Sequence, residues 1–221
     1  MMRLGVLVSG RGSNLEAVLA AVAAGRLPGV EPVLVVSNRP GARALAVAAA
    51  HGVPSRAMPS IDFGGAEERD AAIGDALSRS GADLALLAGY DQLLRPAYFA
   101  AYAGRTINIH PSLLPRHGGR GMMGMAVHRA VLAARDGETG VTVHDVTPEL
   151  DAGPPIAQVS VPVHPDDTAE RLADRVLASE HRLLVEVLAR LAAEEAAHGS
   201  SASMAAALPP VTEGGATHER R

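Results

Sequence analysis

The chain has 221 residues, 48% hydrophobic and 20% charged, with a formal net charge of −4. That suits one globular domain, or one with a trailing extension, and offers no basic face for nucleic acid. There is no Cys, no Trp and no Lys, so all 20 basic residues are Arg. Lysine Schiff bases, pyridoxal chemistry, P-loop lysines, thiolate catalysis, iron–sulfur clusters and disulfides are thereby excluded. Aromatic residues make up 2% of the chain, too few for a base-stacking platform.

Leu4 to Ser9 reads as a buried parallel strand, followed by Gly10-Arg11-Gly12-Ser13-Asn14 and a helix over Leu15–Val22 that Gly25 closes. Pro32 to Ser37 is a second strand, 41–51 an Ala-rich helix, Ala66 to Ser80 a third helix and Ala82 to Ala88 another apolar strand. A short helix near Pro96–Ala103 precedes the strand Thr106–His110, which Pro111 ends. After a Gly- and Met-rich loop (113–125) come a helix near Ala126–Arg135, strands Gly140–Val146 and Pro155–Val163, and a long helix opened by Asp167-Thr168-Ala169-Glu170. The stripe of that last helix is Leu172, Val176, Leu183, Leu184, Val187 and Leu191. Strands alternating with helices indicate right-handed βαβ units: an α/β, Rossmann-like fold with a mostly parallel central sheet flanked by helices. The expected domain is 1–195, with 196–221 a disordered tail of Ser, Ala, Pro, Gly and charge. The segment Met1–Ser9 is too short for a signal h-region and glycines follow it at once, and no apolar run approaches the roughly 20 residues that span a bilayer. A soluble cytoplasmic protein with no membrane partner is the expectation.

Three segments carry chemistry. Ser9–Asn14 joins a strand to a helix start, where free N–H groups and the helix dipole favour a phosphate. The plain reading is a turn with Ser13 or Asn14 as N-cap. Leu15 replaces the third glycine of a dinucleotide fingerprint, and the missing Lys excludes a P-loop. Asn108 and His110 share one face at the end of a strand, where open α/β sheets place ligands. Together they can donate to an oxygen gaining charge, although a lone His at a strand end is by itself more often structural or exposed. Asp151, in Leu150-Asp151-Ala152-Gly153-Pro154, is either ordinary turn chemistry or a carboxylate that favours the imidazolium of His110. His117, His128 and His144 sit in separate elements without HExxH spacing, so no metal site is expected.

Taken with Leu87-Ala88-Gly89-Tyr90, the segments Val8–Leu15, Ile107-Asn108-Ile109-His110-Pro111-Ser112-Leu113-Leu114-Pro115 and Glu149–Pro154 resemble the phosphoribosylglycinamide formyltransferases, from about Arg3 to Ala193. The resemblance implies the formyltransferase fold and formyl transfer from 10-formyltetrahydrofolate to the amine of glycinamide ribonucleotide, in purine biosynthesis. It also implies that Gly12, Ser13 and Asn14 hold the ribose phosphate and that Glu180 contacts the acceptor amine. Asn108 and His110 would stabilise the oxyanion, with His110 as the acid, while Asp151 supports His110 and organises proton removal. The folate would lie on Asp91, Gln92, Leu93, Leu94 and Asn108, and on Thr147, Pro148, Glu149 and Leu150. Partners are these two small molecules, and the chain is a monomer or homodimer.

Three positions depart from the family pattern. Asp91-Gln92 replaces a Met-Arg-type pair. The family's arginine before the third helix has no counterpart, since Ala66 stands near its place and Arg69 lies too far along. The 116–125 loop is longer than in familiar members. Two alternatives remain. A formyltetrahydrofolate hydrolase would pass the group to water, and a non-catalytic phosphate-binding α/β domain would have no need of Asn108, His110 and Asp151 together.

Overall fold

The computed structural model describes the backbone of residues 1–206 and the side chains of residues 1–197. Its elements are β1 (Met2–Val8), α1 (Ser13–Ala23), β2 (Val30–Ser37), α2 (Arg43–Ala50), β3 (Ser55–Ala57), α3 (Ala66–Arg79), β4 (Leu84–Leu87), α4 (Pro96–Ala101), β5 (Arg105–His110), α5 (Met125–Ala133), β6 (Glu138–Asp145), β7 (Pro155–Pro162) and α6 (Ala169–Ala206). The seven strands form one sheet in the order β3-β2-β1-β4-β5-β6-β7. Pairing is parallel from β3 through β5 and antiparallel for β5–β6 and β6–β7. The expected α/β architecture is therefore present. The short edge strand β3 and a 3-10 turn at Ser60–Asp62 are additions. All three β3 residues are exposed, so no apolar pattern announces them.

Alternation along β1 sends Leu4, Val6 and Val8 into one core with α1 and α6, and Leu7 into a second core with α3 and α4. All six residues of the expected α6 stripe are buried in the first core. At Gly5 a Cβ would stand 2.3 Å from Leu77 Cδ2, so the glycine lets α3 lie close against β1. Helix α6 continues past the expected domain end at 195; residues 207–221 of the expected tail lie outside the described residues. Among the described residues no helix is long and apolar enough to cross a membrane.

From β1 the chain moves outward to β2 on one side, and β4 occupies the other. This change of winding direction opens a crevice beyond the C-terminal ends of β1 and β4. The Ser9–Asn14 turn and the segment after Gly89 both start there.

Candidate active site

A cavity of about 620 Å³ fills that crevice. Ser13 and Asn14 line it from the α1 turn, Asn108 and His110 from β5, Asp151 from the β6–β7 turn and Glu180 from α6. Asp91, Gln92, Leu93 and Leu94 enter from the β4 side, with Thr147, Glu149 and Leu150 opposite them. Of the expected site residues, Gly12 and Pro148 do not line the cavity. Three of the large apolar side chains left exposed, Leu93, Leu150 and Met123, stand at this cavity, an apolar rim that a flat ring can cover.

The α1 turn corrects the plain capping expectation. Neither Ser13 nor Asn14 is the N-cap; that place falls to Gly12 at φ 77°, and no side chain caps the helix. A Cβ at Gly12 would stand 2.7 Å from the Ala44 Cβ and 2.9 Å from its Cα, so only glycine brings this turn against α2. The first N–H groups of α1 are thus left without a side-chain partner beside the cavity, and Arg11 lines the same wall.

Asn14 is 8% exposed and reaches across to α6, where its side chain hydrogen-bonds Glu180. Burial pushes the Glu180 carboxyl up to about 7, against the opposing effect of that hydrogen bond. In an unfolded chain the group titrates near 4.5. Folded chains therefore bind more protons between these values, and stability falls as pH rises from about 4.5 to about 7, remaining lower above that. Glu180→Gln should match the wild-type melting temperature at pH 4.5 and exceed it at pH 8. Thermal denaturation at both values checks this, and equal melting at pH 8 would show the carboxylate to be solvated in the cavity.

The β5–β6 register explains how the reactive groups meet. Antiparallel pairing sets Asn108 directly opposite His144 and His110 opposite Thr142. The Asn108 amide lies 3.0 Å from His144 Nε2, while His144 Nδ1 lies 2.9 Å from the Asp145 carbonyl. A carbonyl only accepts, so Nδ1 carries the proton and Nε2 accepts from Asn108. Burial lowers the His144 pKa, reinforced by His110 and opposed by the Asp145 hydrogen bond and by Asp151. A neutral ring thus orients Asn108 and leaves its second amide hydrogen for the cavity. Sequence reasoning treated His144 only as a metal candidate; its signal is the register, which pairs residues 36 positions apart.

His110 is 5% exposed and donates from Nε2 to the His117 carbonyl at 2.9 Å. Its Nδ1 faces Asp151 Oδ2 at 3.8 Å, and Asp151 Oδ1 lies 3.8 Å from His144 Nε2. Nδ1 is therefore the nitrogen left to exchange a proton. Asp151 holds the left-handed φ of 53° and accepts from the Gly119 N–H at 2.8 Å. Gly153 allows the turn: a Cβ there would fall 1.8 Å from the Asp145 carbonyl oxygen, so any side chain would push Asp151 away from His110. The His117 carbonyl is held in turn through its ring, whose Nε2 lies 2.6 Å from Asp136 Oδ2, with Arg116 on the other oxygen. Arg116 thus pairs with Asp136 while its side chain stays half-exposed.

The Asp91 side chain is engaged by its neighbours. Its carboxylate accepts from Ser9 Oγ at 2.9 Å, Asn38 at 2.8 Å and Gln92 at 3.1 Å, and pairs with Arg39. Burial would raise its pKa, but the hydrogen bonds from Gln92, Asn38 and Ser9 and the Arg39 charge outweigh it, and the pKa is lowered. Asp91 thereby clamps the ends of β1, β2 and β4 together. Arg69 lies beneath the same loop, 3% exposed, paired at 2.7 Å with the fully buried Asp70 and reaching Ser60 Oγ at 2.9 Å. Asp70 also accepts the Arg95 N–H at 2.8 Å. Together they fix the 91–95 segment from behind. Among the described residues no three His, Asp or Glu side chains cluster as metal ligands.

The family model described as formyl transferase matches residues 2–188. The phosphoribosylglycinamide formyltransferase of Haemophilus influenzae is 35% identical over 183 residues, spanning 83% of this chain and 84% of that protein. Its Escherichia coli counterpart is 37% identical over 182 residues, 82% and 83% of the two chains. Among solved structures, the glycinamide ribonucleotide transformylase 1 of Symbiobacterium toebii superposes with a TM-score of 0.82 at 40% identity, covering 88% of this chain and 89% of that one.

Proposed function

The chain belongs to the formyl transferase family, and from that membership we propose that it transfers the formyl group of 10-formyltetrahydrofolate to the amine of glycinamide ribonucleotide, a cytoplasmic step of purine biosynthesis. One observation carries the reading: the uncapped α1 turn and the Asn108–His110–Asp151 constellation open into the same cavity. A phosphate-bearing amine and a formyl donor can be held there side by side.

The N–H groups of the Gly12–Asn14 turn take the phosphate, Ser13 and Asn14 from the cavity wall and Gly12 from behind them, with Arg11 beside them. Glu180 receives the amine end of the acceptor. The pterin of the donor lies against Leu93, Leu94 and Leu150, and the backbone of 91–94 and 147–150 supplies its polar partners. In the reaction the neutral amine attacks the formyl carbon, and the carbonyl electron pair moves onto oxygen. Asn108, oriented by His144, and His110 through Nδ1 donate to that oxygen as its charge develops. Collapse breaks the bond to the folate nitrogen. The proton lost by the amine passes by way of Asp151 and His110 to the leaving nitrogen, so protons balance without a redox centre.

Asn14→Asp should raise the acceptor KM by about tenfold or more, because it sets a carboxylate against both the phosphate and Glu180. An unchanged acceptor KM would move the phosphate away from α1. The reaction itself is tested by following folate deformylation with and without the ribonucleotide. Acceptor-dependent deformylation supports the transferase, and equal rates in both reactions mean a hydrolase. No reaction in either leaves a binding domain.

A further inference from the structure

One imidazole at the cavity remains without a task. His128, on the first turn of α5, is 5% exposed and lines the cavity. Its Nδ1 is buried with no hydrogen-bond partner, and neither ring nitrogen makes a contact like those that hold His110, His117 and His144. A buried N–H without an acceptor costs more than a buried lone pair, so the proton belongs on the other nitrogen, Nε2. That nitrogen is then the one through which the ring meets the cavity.

We propose that His128 is a substrate-contacting residue of the acceptor half of the site, presenting Nε2–H as a donor to an uncharged oxygen of the acceptor; this rests on the transfer reading above. Position selects the acceptor over the donor. Helix α5 packs on α6, and the cavity wall that α6 contributes is Ala173, Asp174, Leu177 and Glu180. Glu180 is tied to Asn14 of the phosphate turn, whereas the surfaces assigned to the folate come from the segments after β4 and β6. Charge agrees. Burial lowers the His128 pKa, and the nearby His110 lowers it further, so the ring is neutral while His110 exchanges its proton. A neutral donor fixes an oxygen without competing for the proton that moves in the reaction. It also fits a wall that has no cation from α6.

The test compares His128→Phe with His128→Gln, whose amide N–H stands near the place of Nε2. In steady-state kinetics with both substrates, His128→Phe is expected to raise the acceptor KM by about tenfold, the loss of one good hydrogen bond. The donor KM should stay within about twofold, and His128→Gln should recover most of the acceptor KM. Long-range nitrogen–proton NMR of the wild-type protein should find the His128 proton on Nε2 at neutral pH. The proposal is overturned if the two KM values move together, if Gln does no better than Phe, or if the proton lies on Nδ1. A wild-type chain that ignores the acceptor would sink the transfer reading itself, whereas an active wild type with an indifferent His128→Phe sinks this inference alone.

Discussion

His110→Ala should lower kcat by about 10³-fold, within the range for losing a positioned acid and oxyanion donor, while both KM values stay within a few-fold. The reasoning starts from the tautomer. Nε2 is committed to the His117 carbonyl, so Nδ1 alone serves the cavity, with Asp151 behind it at 3.8 Å. No neighbour can take over: His144 is neutral with both nitrogens engaged, and His128 lies on the α5 wall. The substrates keep their main anchors, the α1 turn and the apolar rim, so binding survives. Stability should fall by only about 1 kcal/mol, the value of one hydrogen bond, because Ser112 Oγ also approaches the freed carbonyl at 3.5 Å. Single-turnover kinetics and a melting curve test both halves. A variant with near-native turnover would remove His110 from the chemistry.

Arg69→Leu should cost about 3–5 kcal/mol of stability, the range for breaking a buried ion pair by removing one partner. Asp70 is fully buried, and the variant leaves its charge only the Arg95 N–H. For a chain of this size that is a drop of roughly 6–20 °C in melting temperature. The same change frees Gln92, whose Oε1 lies 3.4 Å from Arg69 Nη1, and loosens the 91–95 segment. The donor KM should therefore rise while the acceptor KM holds. Arg69→Leu combined with Asp70→Leu should recover part of the stability, since no uncompensated charge remains. A loss below about 1 kcal/mol in the single variant would mean that water or rearrangement reaches Asp70.

The departure at Asp91-Gln92 acquires a physical meaning from these contacts. Asp91 spends its acceptor capacity on Ser9, Asn38, Gln92 and Arg39, and Gln92 bridges it to Arg69. The identities at 91 and 92 thus brace the segment from within the scaffold. Arg69, which lies too far along α3 to stand for the family's arginine before that helix, is enclosed with Asp70 instead.

Periodicity along the chain was enough to determine the strand–helix alternation, the buried stripe of α6 and the placement of Asn108 and His110 at a strand exit, because each depends on neighbours within a few residues. The glycine turn was legible for the same reason, although its capping was not. The positive φ of Gly12 answers to the contact with Ala44 of α2, a demand from outside the segment. Everything that makes the site a unit came from tertiary structure. The β5–β6 register alone decides that His144 orients Asn108. The tight passage at Gly153 decides that Asp151 returns to His110, and the burial of α3 decides that Arg69 braces a loop rather than meeting a ligand. These are contacts between residues tens of positions apart, set by sheet pairing and by the cost of leaving a buried charge or N–H unpaired, and neither condition exists until the chain has folded.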